Sequence, residues 1–421
     1  MALFILFIAY TGIESIYLER RRKRLKWRLA IGGIRGKSSV TRLIAGALRE
    51  AGIRVLARTT GSRAMVIFPD GHEEEIRRSG PPNILEGKGF LSLAHKIKAE
   101  AIVVELMAIK PECLEAEVNK IFKPHGLVFT NFRPDHLEEL GKSRQEVAKN
   151  LLRAVEKGQT VFMLAEEVDR EIERLLQKKR SHLISVSQNK HPRLSNNLRK
   201  PNSNEPDLID SRANYGDDFI DNIRLALAVI RYLNVNEEVA LSGMKKVKSD
   251  FGSLKIWEIA IPGKAPSYAV SAFAANEPFS SSLVIERVKE IIPWEGKKIY
   301  GLLLFRQDRG DRTEQWLRAI EAGFFAGFDG LFLCRCPHFP LIFSLKKIRK
   351  VYLNALSQKT NLRPVVGPEI KKLKPEEALN LVAKLSRQET EPWILIGLGN
   401  IVGLGSKLIE LWEKAGRRIH G

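Results

Sequence analysis

The sequence predicts an α/β protein made of two domains, each built around a mostly parallel β-sheet. Short apolar runs alternate with longer helical patterns along most of the chain, which is typical of βαβ units. A glycine-rich turn with the sequence GGIRGKSSVT, residues 32–41, connects one apolar run to a helical pattern. The length of 421 residues is enough for two or three domains with cores of their own.

The first 18 residues, MALFILFIAYTGIESIYL, are mostly apolar, and Glu14 is their only charged side chain. As a helix they would extend roughly 27 Å, about the thickness of a bilayer core. The pattern lacks the features of a cleaved signal peptide. It predicts an N-terminal membrane anchor at 1–18, a basic juxtamembrane segment at 19–28 and catalytic domains on the cytoplasmic side of the cell membrane. A hydrophobic helix that packs on the domain, or lies at the membrane interface, is the alternative.

Residues 29–250 form the predicted central domain, and residues 251–421 a smaller Rossmann-like α/β domain. The predicted strands of the central domain are Leu29–Ile31, Ile53–Ala57, Ala101–Leu106, Gly126–Thr130 and Val161–Leu164. Those of the smaller domain are Tyr268–Phe273, Ile299–Phe305, Gly330–Leu333 and Trp393–Ile396. Its predicted helices are Ser280–Ile291, Arg312–Phe325, Pro375–Arg387 and Val402–Lys414. Residues Gln188–Pro206, rich in Asn, Ser, Pro and Lys, are predicted to be a surface loop.

The composition narrows the functional classes. The formal net charge of +20 favours an anionic partner or substrate. No RNA-binding signature is present, so nucleic acid is not predicted as a partner. Three cysteines are too few for a disulfide framework and lack the spacing of a zinc ribbon, which favours a reducing compartment.

The glycine-rich turn has the chemistry of a phosphate-binding loop. Glycines allow close backbone approach, and N–H groups at the start of the following helix favour an anion. The pattern G-x-x-G-K-S from Gly33 is shorter than the strict phosphate loop, which would need a glycine at Ile31. In this interpretation Lys37 contacts the β- and γ-phosphates of ATP, and the Ser38 hydroxyl is a ligand of Mg²⁺. An ordinary basic turn before a surface helix is the alternative.

Further polar residues follow two other predicted strands. Glu105 ends the apolar run Ala101–Val104, and Asp135 and His136 follow the next strand. Ligands of open parallel sheets bind at the carboxyl ends of the strands, so Glu105 lies where a Mg²⁺ ligand is needed. The placement of His136 beside Asp135 favours a role as a ligand over a structural one.

Taken together, these motifs resemble the Mur ligase family, which includes the folylpolyglutamate synthases. More closely, the chain resembles the ligase subunits of bacterial poly-γ-glutamate capsule synthases. The matching stretches are the N-terminal apolar segment with its basic flank, Gly33–Leu43, Thr59–Gly61, Pro82–Ile84 with Glu86, Val104–Ala108, Asp135–His136, Asp221–Asn222, Phe273–Glu277, Arg306–Thr313 and Gly397–Gly403.

The resemblance implies an amide ligase in which ATP activates a carboxylate as an acyl phosphate and an amino acid then attacks it. Lys37, Glu105 and His136 are the implied catalytic residues, with Ser38, Glu105 and His136 holding Mg²⁺. The implied ATP-binding residues are Gly33, Ile34, Arg35, Gly36, Lys37, Ser38, Ser39, Asn222 and Lys255. The implied substrate-binding residues are Thr60, Asn83, Asn276, Arg306, Asp308, Arg309, Asp311, Arg312 and Asn400. For the charged residues at 308–312, helix capping and surface ion pairs are the alternative.

The chain departs from the family pattern at two positions. Many Mur-like ligases carry a carbamylated lysine where this chain has Leu151, with Lys149 two residues earlier. The polyglutamate branch resembles this chain in lacking that lysine. A family arginine is matched by Lys255, which keeps the charge but not the bidentate geometry.

The leading functional hypothesis is a membrane-anchored ligase that extends poly-γ-glutamate with glutamate, working with other membrane subunits of a synthase and export complex. A Mur-like ligase that joins another amino acid to a different carboxylate is the first alternative. A membrane-tethered P-loop ATPase switch is an alternative from another class, although no N-K-x-D guanine motif is present.

Overall fold

The structure is a computed structural model and describes residues 1–61, 63–187, 217–248, 252–306, 310–335 and 369–420. Two compact units divide the chain, Met1–Lys248 and Ser249–Gly421. The predicted surface loop at Gln188–Pro206 lies outside the described residues.

The first unit combines eight strands with helices within the described residues. Its strands are β1 (Trp27–Gly32), β2 (Val55–Thr59), β3 (Met65–Ile67), β4 (Glu73–Glu75), β5 (Ala101–Glu105), β6 (Gly126–Phe129), β7 (Thr160–Leu164) and β8 (His182–Val186). Its helices are α1 (Ala2–Lys23), α2 (Lys37–Glu50), α3 (Glu86–Lys96), α4 (Pro111–Ala116), α5 (Leu137–Leu140), α6 (Arg144–Leu152), α7 (Arg170–Lys178), α8 (Asp217–Tyr232) and α9 (Glu237–Lys245). A π-helical turn, Glu117–Phe122, continues α4, and a short 3₁₀ turn spans Ala165–Glu167.

The sheet of the first unit has the strand order β4-β3-β2-β5-β1-β6-β7-β8. In the sheet, β2, β5, β1, β6, β7 and β8 pair in parallel with their neighbours in that order. Strands β3 and β4 add antiparallel pairs at one edge. Strand β1 therefore lies between β5 and β6, with its carboxyl end beside theirs. Ile31 of β1 pairs with Glu105 of β5 and with Val128 of β6.

Both faces of this sheet are buried, as expected for parallel strands covered by helices. Leu29 and Ile31 belong to a core shared with α2, α8 and α9. Ala30 belongs to the opposite core, together with residues of α3, α4, α6 and α7. The continuous apolar runs of the sequence therefore correspond to strands that are buried on both sides.

The structure does not support the predicted N-terminal membrane anchor. Within the part of the chain that the structure describes, no helix is both long and apolar enough to span a bilayer. Helix α1 does not end at residue 18 but continues into the basic run. Leu18 is 7% exposed and belongs to the protein core, and Glu14 forms an ion pair with Lys88 at 2.7 Å.

The predicted juxtamembrane segment at 19–28 is also part of the folded unit. Arg22 is 3% exposed and donates hydrogen bonds to the carbonyl oxygens of Lys120 and Ile121 at 2.8 and 2.9 Å. Leu25 is buried, and Trp27 already opens β1. The anchor was predicted because an apolar stretch followed by arginines is typical of membrane anchors. The same pattern also fits a helix that packs on the protein, whose arginines donate hydrogen bonds to backbone carbonyls.

The second unit has a seven-stranded sheet within the described residues, in the order β13-β12-β11-β14-β10-β9-β15. Its strands are β9 (Lys255–Ile259), β10 (Ser267–Ser271), β11 (Lys298–Leu304), β12 (Gly330–Cys334), β13 (Glu369–Leu373), β14 (Trp393–Leu398) and β15 (Arg417–His420). Its helices are α10 (Pro278–Ile291), α11 (Gly310–Glu321), α12 (Pro375–Leu379), α13 (Leu381–Gln388) and α14 (Leu404–Ala415). The five neighbouring strands β13, β12, β11, β14 and β10 are parallel, and β9 and β15 add antiparallel pairs at the other edge. The predicted α/β class is thus confirmed, with mixed and mostly parallel sheets.

Candidate functional site

The glycine-rich loop lies at the carboxyl end of the central strand β1 and leads directly into α2. Two of its glycines have backbone angles that favour glycine: φ is +106° at Gly33 and +84° at Gly36, which caps α2. The N–H groups of the first turn of α2 have no partners within that helix, so this end favours an anion.

Close packing against two other segments also requires these glycines. A Cβ atom on Gly33 would lie 2.3 Å from Oγ1 of Thr130 and 2.8 Å from its backbone nitrogen. A Cβ atom on Gly36 would lie 2.5 Å from Oδ1 of Asn222 in α8. Asn222, expected from the resemblance to bind ATP, is therefore placed beside the loop.

Asn131 holds the loop through both ends of its side-chain amide, a role that the sequence analysis missed. Its Oδ1 accepts from the backbone nitrogen of Arg35 at 3.2 Å, and its Nδ2 donates to the carbonyl of Arg35 at 3.0 Å. Its own carbonyl accepts from the nitrogen of Ile34 at 3.2 Å. The sequence offered a signal, because an asparagine follows β6 at the strand end where ligands of such sheets bind.

The loop brings together a cation, a hydroxyl and a carboxylate. Lys37 folds over the loop, and its Nζ donates to the carbonyl of Gly33 at 3.0 Å. The Ser38 hydroxyl donates to Oε2 of Glu105 at 2.7 Å. The same carboxylate oxygen accepts from the backbone nitrogen of Thr60 at 2.8 Å. Glu105 is only 2% exposed, so its orientation is fixed by these contacts.

The Ser38 and Glu105 pair fits a hard divalent cation. Both donate oxygen ligands, and Mg²⁺ in nucleotide sites is usually held by one or two protein oxygens together with phosphate oxygens and water. Within the described residues no group of three or more His, Cys, Asp or Glu side chains forms a ready metal cluster. Two protein oxygens suit a divalent cation that takes its remaining ligands from water or phosphate oxygens.

Asp135 and His136 lie in the segment that follows β6. The guanidinium of Arg35 is 3.7 Å from the Asp135 carboxylate, so this segment is linked to the glycine-rich loop. His136 has a left-handed backbone, with φ of +51°, and its carbonyl accepts from the nitrogens of Glu139 and Leu140 in α5. The role of His136 as a metal ligand stays a prediction.

A buried ion pair, whose two members were not among the residues predicted from the sequence, lies directly behind Glu105. Arg58 and Glu117 are 1% and 0% exposed, and their side chains are 2.7 Å apart. Burial raises the pKa of the Glu117 carboxyl, against the opposing effect of the Arg58 guanidinium. The available signal was Arg58, a charged residue directly after the apolar run Val55–Ala57.

Two more predicted positions of the first unit have clear structural settings. Leu151, which takes the place of the family's carbamylated lysine, is 4% exposed in the core, whereas Lys149 is exposed. Asn83 forms the turn before α3, where its Oδ1 accepts from the nitrogen of Leu85 at 2.9 Å and its own nitrogen donates to Glu86.

The remaining predicted residues belong to the second unit. Lys255 opens β9 and is 9% exposed, and the backbone carbonyl of Asn276 accepts from the indole nitrogen of Trp316. Arg306 follows β11, and Arg312, in α11, is 7% exposed. The side chain of Asn400 closes a turn with the backbone of Val402.

Three charged residues of the same predicted set have less structural detail. Asp308 and Arg309 lie outside the described residues, and Asp311 lies in the first turn of α11. The carboxyl ends of β10, β11 and β14 meet at one edge of the second sheet, which is where Asn276, Arg306 and Asn400 follow their strands.

Comparisons with known families match both units. The Mur ligase middle domain matches residues 31–230, and the C-terminal domain of the poly-gamma-glutamate synthase CapB matches residues 256–415. The first match includes the glycine-rich loop, Glu105, His136 and Asn222.

Similar solved structures agree with the fold. A folylpolyglutamate synthase from Mycobacterium tuberculosis, complexed with ADP and AMPPCP, superposes with a TM-score of 0.63 at 12% identity, covering 96% of this chain and 95% of that one. MurF from Acinetobacter baumannii gives a TM-score of 0.60 at 14% identity, covering 93% and 78%.

Sequence relatives specify the family further. The capsule biosynthesis protein CapB of Bacillus anthracis is 33% identical over 75% of this chain and 65% of its own length, so the match spans slightly less than two thirds of that relative. The PGA synthase CapB of Bacillus subtilis is 31% identical over 72% of this chain and 75% of its own length. This chain belongs to the CapB family of Mur ligase-like enzymes.

Proposed function

We propose that this chain is an ATP-dependent amide ligase that extends poly-γ-glutamate by one glutamate in each cycle. A carboxylate oxygen of the polymer attacks the γ-phosphorus of ATP, which gives an acyl phosphate and releases ADP. The amine of the incoming glutamate attacks the acyl carbon, phosphate leaves, and the amine loses a proton as the amide forms. The family, with relatives that include a PGA synthase, supports this substrate class.

The contact between Ser38 and Glu105 at the glycine-rich loop is the observation that carries the proposal. It places a hydroxyl and a carboxylate 2.7 Å apart beside the start of helix α2. We propose Mg²⁺ as the metal that these oxygens would hold. When bound, the ion neutralises charge on the transferring phosphoryl group.

The residues of the chain contribute positioning and charge, which is most of what phosphoryl transfer needs from a protein. The loop N–H groups, held by Asn131, would orient the phosphates. Lys37 would stabilise negative charge that develops during transfer. Asn276, Arg306 and Asn400, at the carboxyl edge of the second sheet, would contact the acidic substrate.

Substitution of the loop lysine tests the phosphate assignment. We expect Lys37→Ala to abolish ADP release, because the ammonium group that folds over this loop is removed. Arg49→Ala is a matched control, since it removes a cation from the last turn of the same helix α2. Full turnover by Lys37→Ala would remove the loop from the mechanism.

The substrate is tested by following ADP release with ATP, Mg²⁺ and each amino acid in turn, with products identified by mass spectrometry. Glutamate-dependent ADP release with a product heavier by glutamyl units is the expected result. The same coupling to a different amino acid would favour the alternative Mur-like ligase. ADP release that no amino acid affects, without a new amide, would contradict the ligase proposal and favour an ATPase switch.

We further propose that the chain works at the cytoplasmic surface of the cell membrane together with other membrane subunits. The exposed apolar residues Phe4, Ile13, Ile16 and Tyr17 of α1, followed by exposed Arg20, support association with an anionic bilayer surface. Co-sedimentation with vesicles that contain phosphatidylglycerol, but not with neutral phosphatidylcholine vesicles, is expected. Equal recovery in the supernatant with both would contradict this location.

A further inference from the structure

The buried pair Arg58–Glu117 is built into the wall behind the candidate metal ligand. Arg58 is the fourth residue of β2, and Glu117 is the first residue of the π-helical turn. The guanidinium lies over the rings of Phe90 and Phe122, at 5.8 and 5.2 Å from their centroids. Both charges are therefore held in an apolar layer between the sheet and the helices.

Fold stability alone does not account for this pair. Removing two charges from water costs more than their attraction returns unless every polar atom is satisfied, and apolar replacements of similar volume are often as stable or more stable. Here Nε and Nη1 of Arg58 are buried and have no hydrogen-bond partner in the described part of the chain. A pair that is incompletely satisfied and fully buried points to a role other than stability.

The hydrogen bonds of the pair converge on the segment around Glu105. One oxygen of Glu117 accepts from Arg58, and the other accepts from the backbone nitrogens of Met107 and Ala108, each at 3.0 Å. Nη2 of Arg58 also lies 3.4 Å from the carbonyl oxygen of Glu105. Two residues beyond Arg58, the nitrogen of Thr60 holds the Glu105 carboxylate itself. The pair thus fixes both chain segments that orient Glu105.

The π-helical turn places Glu117 at this point. The turn ends with a hydrogen bond from the nitrogen of Lys123 to the carbonyl of Val118, at 2.7 Å, which spans five residues. Such turns are rare in helices and occur frequently at functional sites. Its residues Ile121 and Phe122 pack in the same core as α3.

We propose that Arg58 and Glu117 are positioning residues, which set the affinity of the Ser38–Glu105 site for a divalent cation with ATP and contribute little to the stability of the fold. The inference rests on the proposed function, because it assumes a metal–nucleotide complex at that site. Partners that orient a metal ligand typically change metal affinity 10- to 100-fold when they are removed.

The test uses Mn²⁺, whose binding electron paramagnetic resonance measures directly, in the presence of a non-hydrolysable ATP analogue. The double variant Arg58→Met/Glu117→Met removes both charges together and leaves neither unpaired. We expect its melting temperature to be no lower than that of the unmodified chain, and its Mn²⁺ affinity to be lower by roughly tenfold or more. Saturating metal should restore much of the turnover of this variant. The substitution is therefore expected to raise the metal concentration needed for half-maximal turnover more than it lowers kcat.

Arg231→Met/Glu237→Met is the matched control. This pair also joins an arginine to a glutamate at 2.7 Å, but it connects the last turn of α8 to the start of α9 and is exposed. We expect its Mn²⁺ affinity to stay within about twofold of the unmodified chain. The single variant Glu117→Gln keeps the side-chain volume and one acceptor oxygen. It serves as the test if the double variant fails to fold, and it should also lower the Mn²⁺ affinity.

The outcomes separate this inference from the proposed function. Unchanged Mn²⁺ affinity in a folded double variant or in Glu117→Gln would overturn the positioning role, as would a loss of affinity that merely follows a lower melting temperature. No binding of Mn²⁺ with the analogue by the unmodified chain would overturn the proposed metal–nucleotide site, and the positioning role with it.

Discussion

Replacement of Gly33 by alanine is the sharpest test of how the glycine-rich loop is built. The residue has φ of +106°, and its missing side chain leaves room for Thr130. An alanine Cβ would lie 2.3 Å from Oγ1 and 2.8 Å from the backbone nitrogen of Thr130. Rotation of the threonine side chain relieves the first contact but not the second, so the loop itself must move.

The structure gives a magnitude for this change. A left-handed backbone costs an alanine about 1–2 kcal/mol, and inserting a carbon atom into a packed contact costs about 1–3 kcal/mol more. Gly52→Ala is the matched control, because Gly52 also has a positive φ, +78°, but nothing lies within 4 Å of a Cβ atom there. The control is therefore expected to lose only the first contribution.

The assay is nucleotide affinity by titration calorimetry beside the melting temperature of each variant. We expect Gly33→Ala to bind ATP at least tenfold more weakly, since about 1.4 kcal/mol corresponds to a factor of ten and a displaced loop misaligns its N–H groups. Gly52→Ala should bind ATP as the unmodified chain does. ATP binding by Gly33→Ala at unmodified affinity, or an equal loss in Gly52→Ala, would refute the reasoning.

Two further predictions concern single side chains. Asn131→Ala removes two hydrogen bonds to Arg35, worth about 1 kcal/mol each. We expect it to raise the KM for ATP severalfold. Asn150→Ala is the control, because it loses one hydrogen bond to the carbonyl of Leu140 and should leave the KM for ATP unchanged. Asp169→Ala removes the cap of α7 and should lower the free energy of unfolding by about 1 kcal/mol at neutral pH.

The effect of Asp169 should depend on pH with a defined sign. Backbone hydrogen bonds, the largest lowering effect, and then Arg144 hold the pKa of its carboxyl below the ordinary 3.8. The folded state therefore favours the charged form, and this stabilisation is present above pH 3.8 and lost as the pH falls below it. Urea unfolding from pH 7 to pH 2 checks this, and a difference between variant and unmodified chain that does not shrink in acid would contradict it.

Much of the architecture followed from local pattern. Each predicted strand of both sheets is present, because strands buried on two faces need continuous apolar runs such as those ending at Glu105 and Leu398. The helix Pro375–Arg387 was predicted as one and is two, broken at Asn380. The anchor was not supported, because hydropathy does not distinguish a helix that enters lipid from one whose second half docks on protein.

The sequence by itself determined the glycine-rich loop and predicted its phosphate-binding chemistry, since glycines, a lysine and a serine at fixed spacing act through the backbone that joins them. Only the tertiary structure decided what surrounds that loop. Ser38 and Glu105 are 67 residues apart, and they meet because β1 pairs with β5 in the register that places Ile31 beside Glu105. The Arg58–Glu117 pair likewise depends on strand order and on a π-helical turn, which side-chain periodicity along the chain does not encode.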